Sequence, residues 1–325
     1  MIIFREIFFK NIIMIQRFIK NLLFELRRRE VWTIGVYCFK GEFDFNIISR
    51  NNLAFTYSDK NTSYSKTYRS VCADPFLISK GKDIFLFFET KNEFSKGEIT
   101  CVSFNRGNYF DRTDHGVVLS EKFHLSFPNV FKVGNEFFML PECSESGKVI
   151  LYKSEVFPTQ WKKYKIIIDL PLVDVAIHFT KNGCNLVGMD KKGVLNHFFS
   201  KDLFSNFIPI KNFVSDDIKH KRNGGNFTLL NENLFRFAQK NTSFYGEGLC
   251  VKKIDQLDNQ GYRESDTGFT VVKEPSEFMN RGHHHISILN DNDLVWVAID
   301  GFKKDTLLNL LKFIYLKLLN VIRND

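Results

Sequence analysis

One pattern recurs five times along the middle of the chain, and it constrains the fold more than any other feature. Each copy has a small or polar opening, a short apolar strand, a turn rich in Gly, Asn, Asp or Lys, and a second apolar strand. Two apolar stretches around such a turn predict a β-hairpin. The copies are CADPFLISKGKDIFLFFE (72–89), SFPNVFKVGNEFFMLPE (126–142), VDVAIHFTKNGCNLVGMD (173–190), GGNFTLLNENLFRFAQ (224–239) and HHHISILNDNDLVWVAID (283–300).

The spacing of these hairpins predicts a β-propeller. The steps between Asp74, Pro128, Asp174, Gly225 and His284 are 54, 46, 51 and 59 residues, close to what a four-stranded blade with its loops requires. A third strand fits after each of the first four hairpins, at 97–104, 148–154, 194–200 and 247–254. Because helical patterns are absent between residues 31 and 302, we predict an all-β, five-bladed propeller over 31–302.

The composition suits a propeller but does not identify what the protein binds. Aromatic residues make up 15% of the chain, including 36 Phe, and Pro occurs only 7 times, which is typical of a strand-rich folded core. The net charge of +8 fits an anionic membrane surface, a phosphorylated substrate or nucleic acid. The positive charge concentrates at the termini and no nucleic-acid-binding motif occurs, so we expect no nucleic-acid partner.

The cysteines indicate a reducing compartment. The chain has six cysteines, and consecutive ones lie 29 to 66 residues apart in the sequence. Most are inside apolar runs, and none forms a C-x-x-C pair. The first residues also lack the short apolar core and cleavage site of a signal peptide. We therefore expect free, buried thiols in a protein that is not exported.

Both ends of the chain predict amphipathic helices, over 1–30 and 303–325. In the first segment, basic side chains cluster on one side and Phe, Ile and Leu on the other; in the second, Asp305 is a candidate N-cap. Charged residues interrupt the first segment too often for it to span a bilayer. Two interpretations stay open: the helices pack on the propeller or on each other, or they lie on an anionic membrane surface.

The repeat places four acids at blade positions that converge on the propeller axis. Asp74 and Asp174 open the first and third hairpins, while Glu89 and Glu142 end the second strands of the first two. Paired carboxylates serve glycosyl transfer or hydrolysis, one ionised as a base and one kept protonated as an acid. We predict Asp74, Glu142 and Asp174 as catalytic and Glu89 as substrate-binding, although such acids also cap turns or end strands in solvent.

Two basic motifs are candidates for substrate binding. His283, His284 and His285 alternate faces on a strand, a spacing that is poor for a closed zinc site, so we expect hydrogen bonding to substrate or axial packing, and no metal. Arg222 precedes the double glycine of KHKRNGGNF (219–227) and is a candidate for holding a phosphate or sugar carboxylate, or belongs to a solvated loop. Nucleotide-binding loops and the G-x-S-x-G elbow are absent, and we expect no cofactor.

Several short motifs follow one another along the chain: ADPFLI, SFPNVF, LPE, LYKS, KRNGG, LFRFAQ, YGEGL, YRES and HHHISIL. Their order resembles that in the N-terminal propeller domain of glucosamine inositolphosphorylceramide transferases. The likeness runs from Trp32 to Phe302, and the architecture is similar to that of the arabinofuranosidase, xylosidase and fructosidase glycoside hydrolases. This resemblance implies carbohydrate chemistry, with Asp74 as the blade-one base or nucleophile and with Glu142 and Asp174 as the acids of blades two and three.

The same resemblance extends the site. It adds Gln239 of LFRFAQ and Tyr245 of YGEGL to the substrate-binding residues. One departure is Lys240, which stands where relatives are expected to carry an acid. A cation beside the channel favours an anionic donor or acceptor.

Three functions remain open. We favour a glycosyltransferase or glycan-modifying enzyme of cell-surface polysaccharide or glycolipid synthesis, peripheral at the cytoplasmic face of a membrane, because the chain combines basic amphipathic ends with reduced thiols. Its partners would be a sugar or nucleotide-sugar, a lipid-linked or glycan acceptor, and the membrane surface. The alternatives are a glycoside hydrolase that uses Asp74 and Glu142, and a catalytically silent sugar-binding partner.

Overall fold

The computed structural model describes residues 30–43, 52–58, 70–92, 96–215, 219–271 and 277–304. The helices expected at the two ends lie outside these ranges, except that Glu30, Lys303 and Lys304 belong to strands. Within the described ranges the fold is all-β, with a short 3-10 turn at Ser144–Ser146 and no α-helix. This part of the chain has no helix of the length and hydropathy needed to cross a bilayer.

The described residues form strands that are grouped in five sheets. In chain order the strands are β1 Glu30–Lys40, β2 Leu53–Tyr57, β3 Ser70–Lys80, β4 Asp83–Asn92, β5 Glu98–Asn105, β6 Asn108–Leu119, β7 Ser126–Val133, β8 Glu136–Glu142, β9 Val149–Val156, β10 Gln160–Ile168, β11 Val173–Thr180, β12 Gly183–Met189, β13 Leu195–Ser200, β14 Ile208–Ile210, β15 Phe213–Ser215, β16 Thr228–Leu230, β17 Asn233–Lys240, β18 Gly248–Leu257, β19 Tyr262–Thr270, β20 Ile286–Asp291 and β21 Leu294–Lys304.

Each sheet is one blade, and the predicted five-bladed propeller is confirmed. Blades one, two and three use the consecutive strands β3–β6, β7–β10 and β11–β14. Blade four is formed by β16–β19, and β15 adds to its outer edge in parallel with β19. The five predicted hairpins are the inner pairs of these blades, and the predicted third strands are β5, β9, β13 and β18.

The fifth blade closes the propeller by joining the two ends of the described chain. It pairs the hairpin β20–β21 with β1, and β1 in turn with β2. The sequence pattern did not indicate this closure, because β1 lies about 250 residues before β21 and no local signal links them. The closure brings Trp32 on β1 beside Phe302 on β21, with ring centroids 4.6 Å apart.

The hydrophobic core is divided among the interfaces between neighbouring blades. Phe76 and Phe87 of blade one meet Phe127 and Met139 of blade two, and all four are at most 4% exposed. Similar clusters fill the other interfaces. Burying one such side chain stabilises the fold by roughly 1.5–3 kcal/mol. The high Phe content therefore serves to pack sheet on sheet, and the polar groups of the inner strands remain at the axis.

Candidate functional site

The innermost strands of three blades begin with the same backbone irregularity. Asp74, Phe127 and Asp174 have left-handed backbones, with φ of 53°, 45° and 49°, and each lies in a register shift of its hairpin. A bulge of this kind re-aims a side chain. Asp tolerates the conformation better than Phe does. The blade-two counterpart of Asp74 is thus Phe127 rather than Pro128, and that blade has no acid at this position.

Asp74 is 3% exposed and contacts groups from blades two and five. Its Oδ2 accepts the N–H of Phe127 at 3.1 Å, and its own N–H donates to Asp300 Oδ2 at 3.0 Å. His284 Nε2 lies 3.6 Å from its Oδ1. Burial raises the pKa of Asp74, but His284, His285 and Arg222 together outweigh this and hold it well below its usual range. Asp74 is therefore ionised at neutral pH.

Asp300, which is fully buried on β21, organises the histidines beside Asp74. Its Oδ1 accepts the N–H groups of His284 and His285, both at 2.9 Å, and its Oδ2 lies 2.6 Å from His284 Nδ1. Burial lowers the pKa of His284, but the charges of Asp300 and Asp74 raise it to about 8. His284 is thus a cation held against two carboxylates.

The three adjacent histidines have different surroundings. His285 Nδ1 lies 3.5 Å from Asp74 Oδ1, and its ring packs edge-on against Phe76 and Phe127. The ring of His283 faces Gly248 of blade four, and burial lowers its pKa to about 4. The structure therefore brings His284 and His285 to Asp74 and leaves His283 neutral beside the next blade.

Asp174, also fully buried, has a different set of partners. It forms an ion pair with Arg222 Nε and accepts a hydrogen bond from Gln239 Nε2 at 3.0 Å. Burial raises the pKa of Asp174 to about 6, although Arg222 acts in the opposite direction. The Arg222 guanidinium lies 5.5 Å from the ring centroid of Tyr245, whose ring lies 5.1 Å from His284. Tyr245 therefore connects the two sides of the site.

A buried ion pair holds the loop that carries Arg222. Arg236 and Glu264 are 0% and 1% exposed and form two parallel hydrogen bonds of 2.7 Å. Arg236 also donates to the backbone carbonyls of His220 and Lys221. Because an unpaired charge would otherwise be buried, breaking such a pair costs about 3–5 kcal/mol. The position of Arg222 is thus set by residues beneath the loop.

Glu89 and Glu142 lie on the second strands of blades one and two at matching register positions. Glu142 accepts hydrogen bonds from the Ser126 hydroxyl at 3.3 Å and from the Ser144 N–H at 2.9 Å. Burial raises the pKa of Glu89 to about 8, and the charge of Asp74 adds to this rise. Equivalent positions therefore hold carboxyl groups in different environments, and Glu89 keeps its proton at neutral pH.

These acids interact electrostatically. The charges of Asp74 and Glu142 both raise the pKa values of Glu89 and Asp174. Charges interact more strongly in a buried site of low dielectric than they do in water. The carboxyl groups of Asp74 and Glu142 therefore influence the ionisation of Glu89 and Asp174.

The structure also adds residues that the sequence did not single out. Asp300 ends the hairpin motif VAID, as Glu89 ends FFE and Glu142 ends LPE. The repeat could therefore have identified Asp300 as a residue of the site. Asn223 donates to the backbone carbonyl of Asp174 at 2.7 Å, and no local pattern distinguishes it. Lys240, expected to offer a cation to the channel, instead pairs with Glu247 at 2.8 Å.

Among the described residues, one cluster has metal-ligand chemistry. Donor atoms of Asp74, His284 and Asp300 lie within 4.8 Å of one another. Asp300, however, already accepts three backbone N–H groups, and His284 is cationic. A metal ion would compete with these donors and with that charge, so the geometry favours a hydrogen-bonded network.

The fold and the site together define a five-bladed β-propeller with an axial cluster of buried carboxyl groups. Its fold is similar to that of the GH43_1 enzyme from Xanthomonas citri, with a TM-score of 0.52 and 8% identity over 75% of this chain and 93% of that enzyme. The same enzyme complexed with xylotriose also gives a TM-score of 0.52. This likeness concerns the fold alone.

Residues 28–301 match the family described as "Glucosamine inositolphosphorylceramide transferase 1, N-terminal", and the chain belongs to this family. It is 31% identical over 290 residues to glucosamine inositolphosphorylceramide transferase 1 of Arabidopsis thaliana, covering 79% of this chain and 37% of the relative. The relative of the same name in Oryza sativa subsp. japonica is 31% identical over 250 residues, covering 70% and 33%. The chain thus spans about a third of the length of these curated relatives.

Proposed function

We propose that the chain is a carbohydrate-active propeller of glycolipid or cell-surface polysaccharide synthesis, acting as a glycosyltransferase or glycan-modifying enzyme. The observation that carries this proposal is the cluster of buried carboxyl groups, in which neighbouring cations lower the pKa of Asp74 and burial raises the pKa of Glu89. Two carboxyl groups whose environments push their pKa values apart are what chemistry at an anomeric carbon uses. The name of the plant relatives supports a sugar donor and a glycolipid acceptor.

Asp74 is suited to a particular part of this chemistry. A carboxylate with a low pKa is a weak base, so it does not deprotonate a free hydroxyl. It stabilises positive charge as it develops at the anomeric carbon, and it accepts the proton of an acceptor hydroxyl once that oxygen has begun to bond. Asp300 and His284 fix the orientation of Asp74 for this role.

Arg222, Asp174 and Gln239 are suited to binding. Arg222 retains 26% side-chain exposure while paired with Asp174, so its outer N–H groups can reach a ligand. Sugar hydroxyls need both donors and acceptors, and an anionic group of a donor or acceptor would pair with the guanidinium. Tyr245, 38% exposed, offers a ring face beside them, and His285 and Glu142 complete the proposed site.

We also propose that the protein acts at the cytoplasmic face of a membrane. All six cysteines fall within the described ranges, where none of them forms a disulfide and four are buried, as in proteins of reducing compartments. The basic segments 1–30 and 303–325 would supply the contact with anionic lipid, and the acceptor would be lipid-linked.

The test is glycosyl transfer by the purified full chain. The probes are nucleotide-sugars of the glucosamine type and aryl glycosides as donors, with inositolphosphorylceramide in vesicles as acceptor. We expect Asp74→Asn to lower transfer by at least about 10²-fold, a loss expected when a transition-state charge is no longer stabilised. Asp293→Asn, at an exposed turn, is the matched control and should leave the rate unchanged.

The outcomes separate the remaining functions. Free sugar released from the aryl glycosides, without transfer, favours the hydrolase, for which the protonated Glu89 is the specific observation. Sugar binding that survives in Asp74→Asn, with no turnover by the wild type, favours a binding partner of another transferase. Unchanged transfer by Asp74→Asn would remove the catalytic assignment.

A further inference from the structure

Glu89 is 8% exposed and lies on β4 opposite Ala73, the residue that precedes Asp74. The charged groups that act on its carboxyl come from blades one, two and five: Asp74, Glu142, His284 and Lys91. Unlike Glu142, it has a histidine as a neighbour rather than a hydroxyl and a backbone amide.

That histidine is His124, in the loop before β7. Its Nε2 lies 3.5 Å from Glu89 Oε1. Its Nδ1 accepts the backbone N–H of Gly97 at 2.8 Å, which fixes the proton of the neutral ring on Nε2. Burial lowers the pKa of His124, so the ring is neutral. The N–H of His124 therefore lies on the Oε1 side of Glu89, which favours Oε2 as the oxygen that carries the acidic proton.

Gly97 completes this arrangement by leaving space for it. A Cβ at this position would lie 2.6 Å from Glu89 Oε1, 2.7 Å from His124 Cε1 and 2.3 Å from the carbonyl oxygen of Leu125. Any side chain would therefore displace the carboxyl, the imidazole or the backbone. The backbone of Gly97 is held in turn by the Leu125 N–H, which donates to its carbonyl at 3.0 Å.

From this geometry, and resting on the function proposed above, we propose that Glu89 is the proton donor of the site and that His124 positions its carboxyl. This assigns catalytic work to an acid for which the sequence predicted only substrate binding. It also narrows the substrate to a glycoside whose leaving group is a sugar or alcohol oxygen. A nucleoside diphosphate leaves as a stable anion and needs no such proton.

Protons and electron pairs balance in this step. The Glu89 carboxyl gives its proton to the glycosidic oxygen as the bond from that oxygen to the anomeric carbon breaks, and the electron pair stays with the oxygen. The acceptor hydroxyl bonds to the anomeric carbon and passes its own proton to Asp74. Glu89, left as a carboxylate, regains a proton from water and Asp74 returns one, so the enzyme is restored.

The first experiment varies the leaving group. Phenyl and 2,4-dinitrophenyl glycosides of glucosamine, xylose and arabinofuranose are compared in wild type, Glu89→Gln and Asp74→Asn. General acid catalysis contributes about 10²–10⁴-fold, so Glu89→Gln should lose that much kcat/KM on the phenyl glycosides. On the dinitrophenyl glycosides, whose leaving groups need no proton, it should lose less than about 10-fold. Glu98→Gln, at a half-buried glutamate on β5 that accepts a hydrogen bond from the Ser120 hydroxyl, is the control.

The second experiment reads the proton itself. Carbon-13 labelling of the glutamate carboxyl groups, with Glu89→Gln to assign the signal, should show Glu89 protonated at pH 7 in the full chain. His124→Leu should shift the titration of Glu89 and the alkaline limb of the rate profile to higher pH, since an N–H donor favours the carboxylate. His124→Gln, which keeps an N–H donor, should restore part of both, whereas a merely structural histidine would move neither.

The results distinguish this proposal from the function on which it rests. If Asp74→Asn abolishes turnover while Glu89→Gln loses equally on both leaving groups, or loses nothing, Glu89 is not the donor and the proposed function stands. An ionised Glu89 at pH 7 also overturns the assignment. If the wild type turns over no donor, both proposals fail.

Discussion

Asp74 and Asp174 occupy the same position in two blades, and their environments differ. Both have left-handed backbones at a bulge, and both are buried. Asp74 faces histidines and backbone amides, and its pKa lies below the usual range, whereas Asp174 faces Arg222 and Gln239, and burial raises its pKa to about 6. The repeat thus fixes where an acid is placed, and non-repeated neighbours decide what the acid does.

The largest expected effect comes from exchanging the two acids for asparagine. If Asp74 works at the anomeric carbon and Asp174 holds the ligand, Asp74→Asn should act mainly on kcat. Asp174→Asn should act mainly on KM, because it removes binding shared by substrate and transition state. Steady-state kinetics of transfer by the two variants checks this. Equal losses of kcat in both would abolish the distinction between the two sides.

The next largest effect is expected from the Arg236–Glu264 ion pair, which supports the Asp174 side of the site. Arg236→Met leaves Glu264 buried and unpaired, and we expect a loss of about 3–5 kcal/mol in the free energy of unfolding. Because Arg236 holds the loop of Arg222, ligand binding through Asp174 should weaken as well. Denaturant unfolding and sugar binding measure these two losses.

The double variant Arg236→Met with Glu264→Leu is the control for that prediction. It removes both buried charges, so it should recover much of the stability but not the position of Arg222. Recovery of binding together with stability would mean that the pair acts only on folding.

These comparisons also indicate what the sequence could predict. The hairpin repeat was sufficient for the five blades, and it brought Asp74, Asp174, Glu89 and Glu142 to blade positions near the axis. The closure by β1 was not predictable, since it depends on pairing between distant segments. The partners of each acid were not predictable either, because they come from other blades: Asp300 from the last hairpin, and His124 from a loop.

The smallest effect is a dependence of stability on pH. The pKa values of Glu89 and His284 are raised to about 8, from 4.5 and 6.5. A group whose pKa is raised by folding contributes stability at low pH, and that contribution is lost as the pH rises through the folded value. We therefore expect the midpoint of thermal unfolding to fall between pH 6.5 and 8. Each of these two groups lowers the protein's free energy of unfolding by at most roughly 1.4 kcal/mol per pH unit.

Two variants refine that measurement. Glu89→Gln and His284→Asn should each flatten the decline above pH 6.5. Asp74, whose pKa is lowered, contributes in the opposite sense, and its stabilisation is lost only as the pH falls below about 3.8, its ordinary value. A midpoint that rises between pH 6.5 and 8 would contradict the protonation states on which the site depends.

The proposed chemistry requires that one ligand meets both sides of the axial site at once. A crystal structure of Asp74→Asn soaked with a reactive glycoside tests this most directly, because we expect the variant to bind the donor and to turn it over slowly. We expect one sugar ring within hydrogen-bond distance of residue 74, Glu89 and Arg222 together. A sugar bound only on the outer strands, with these side chains in contact with solvent alone, would contradict a shared axial site.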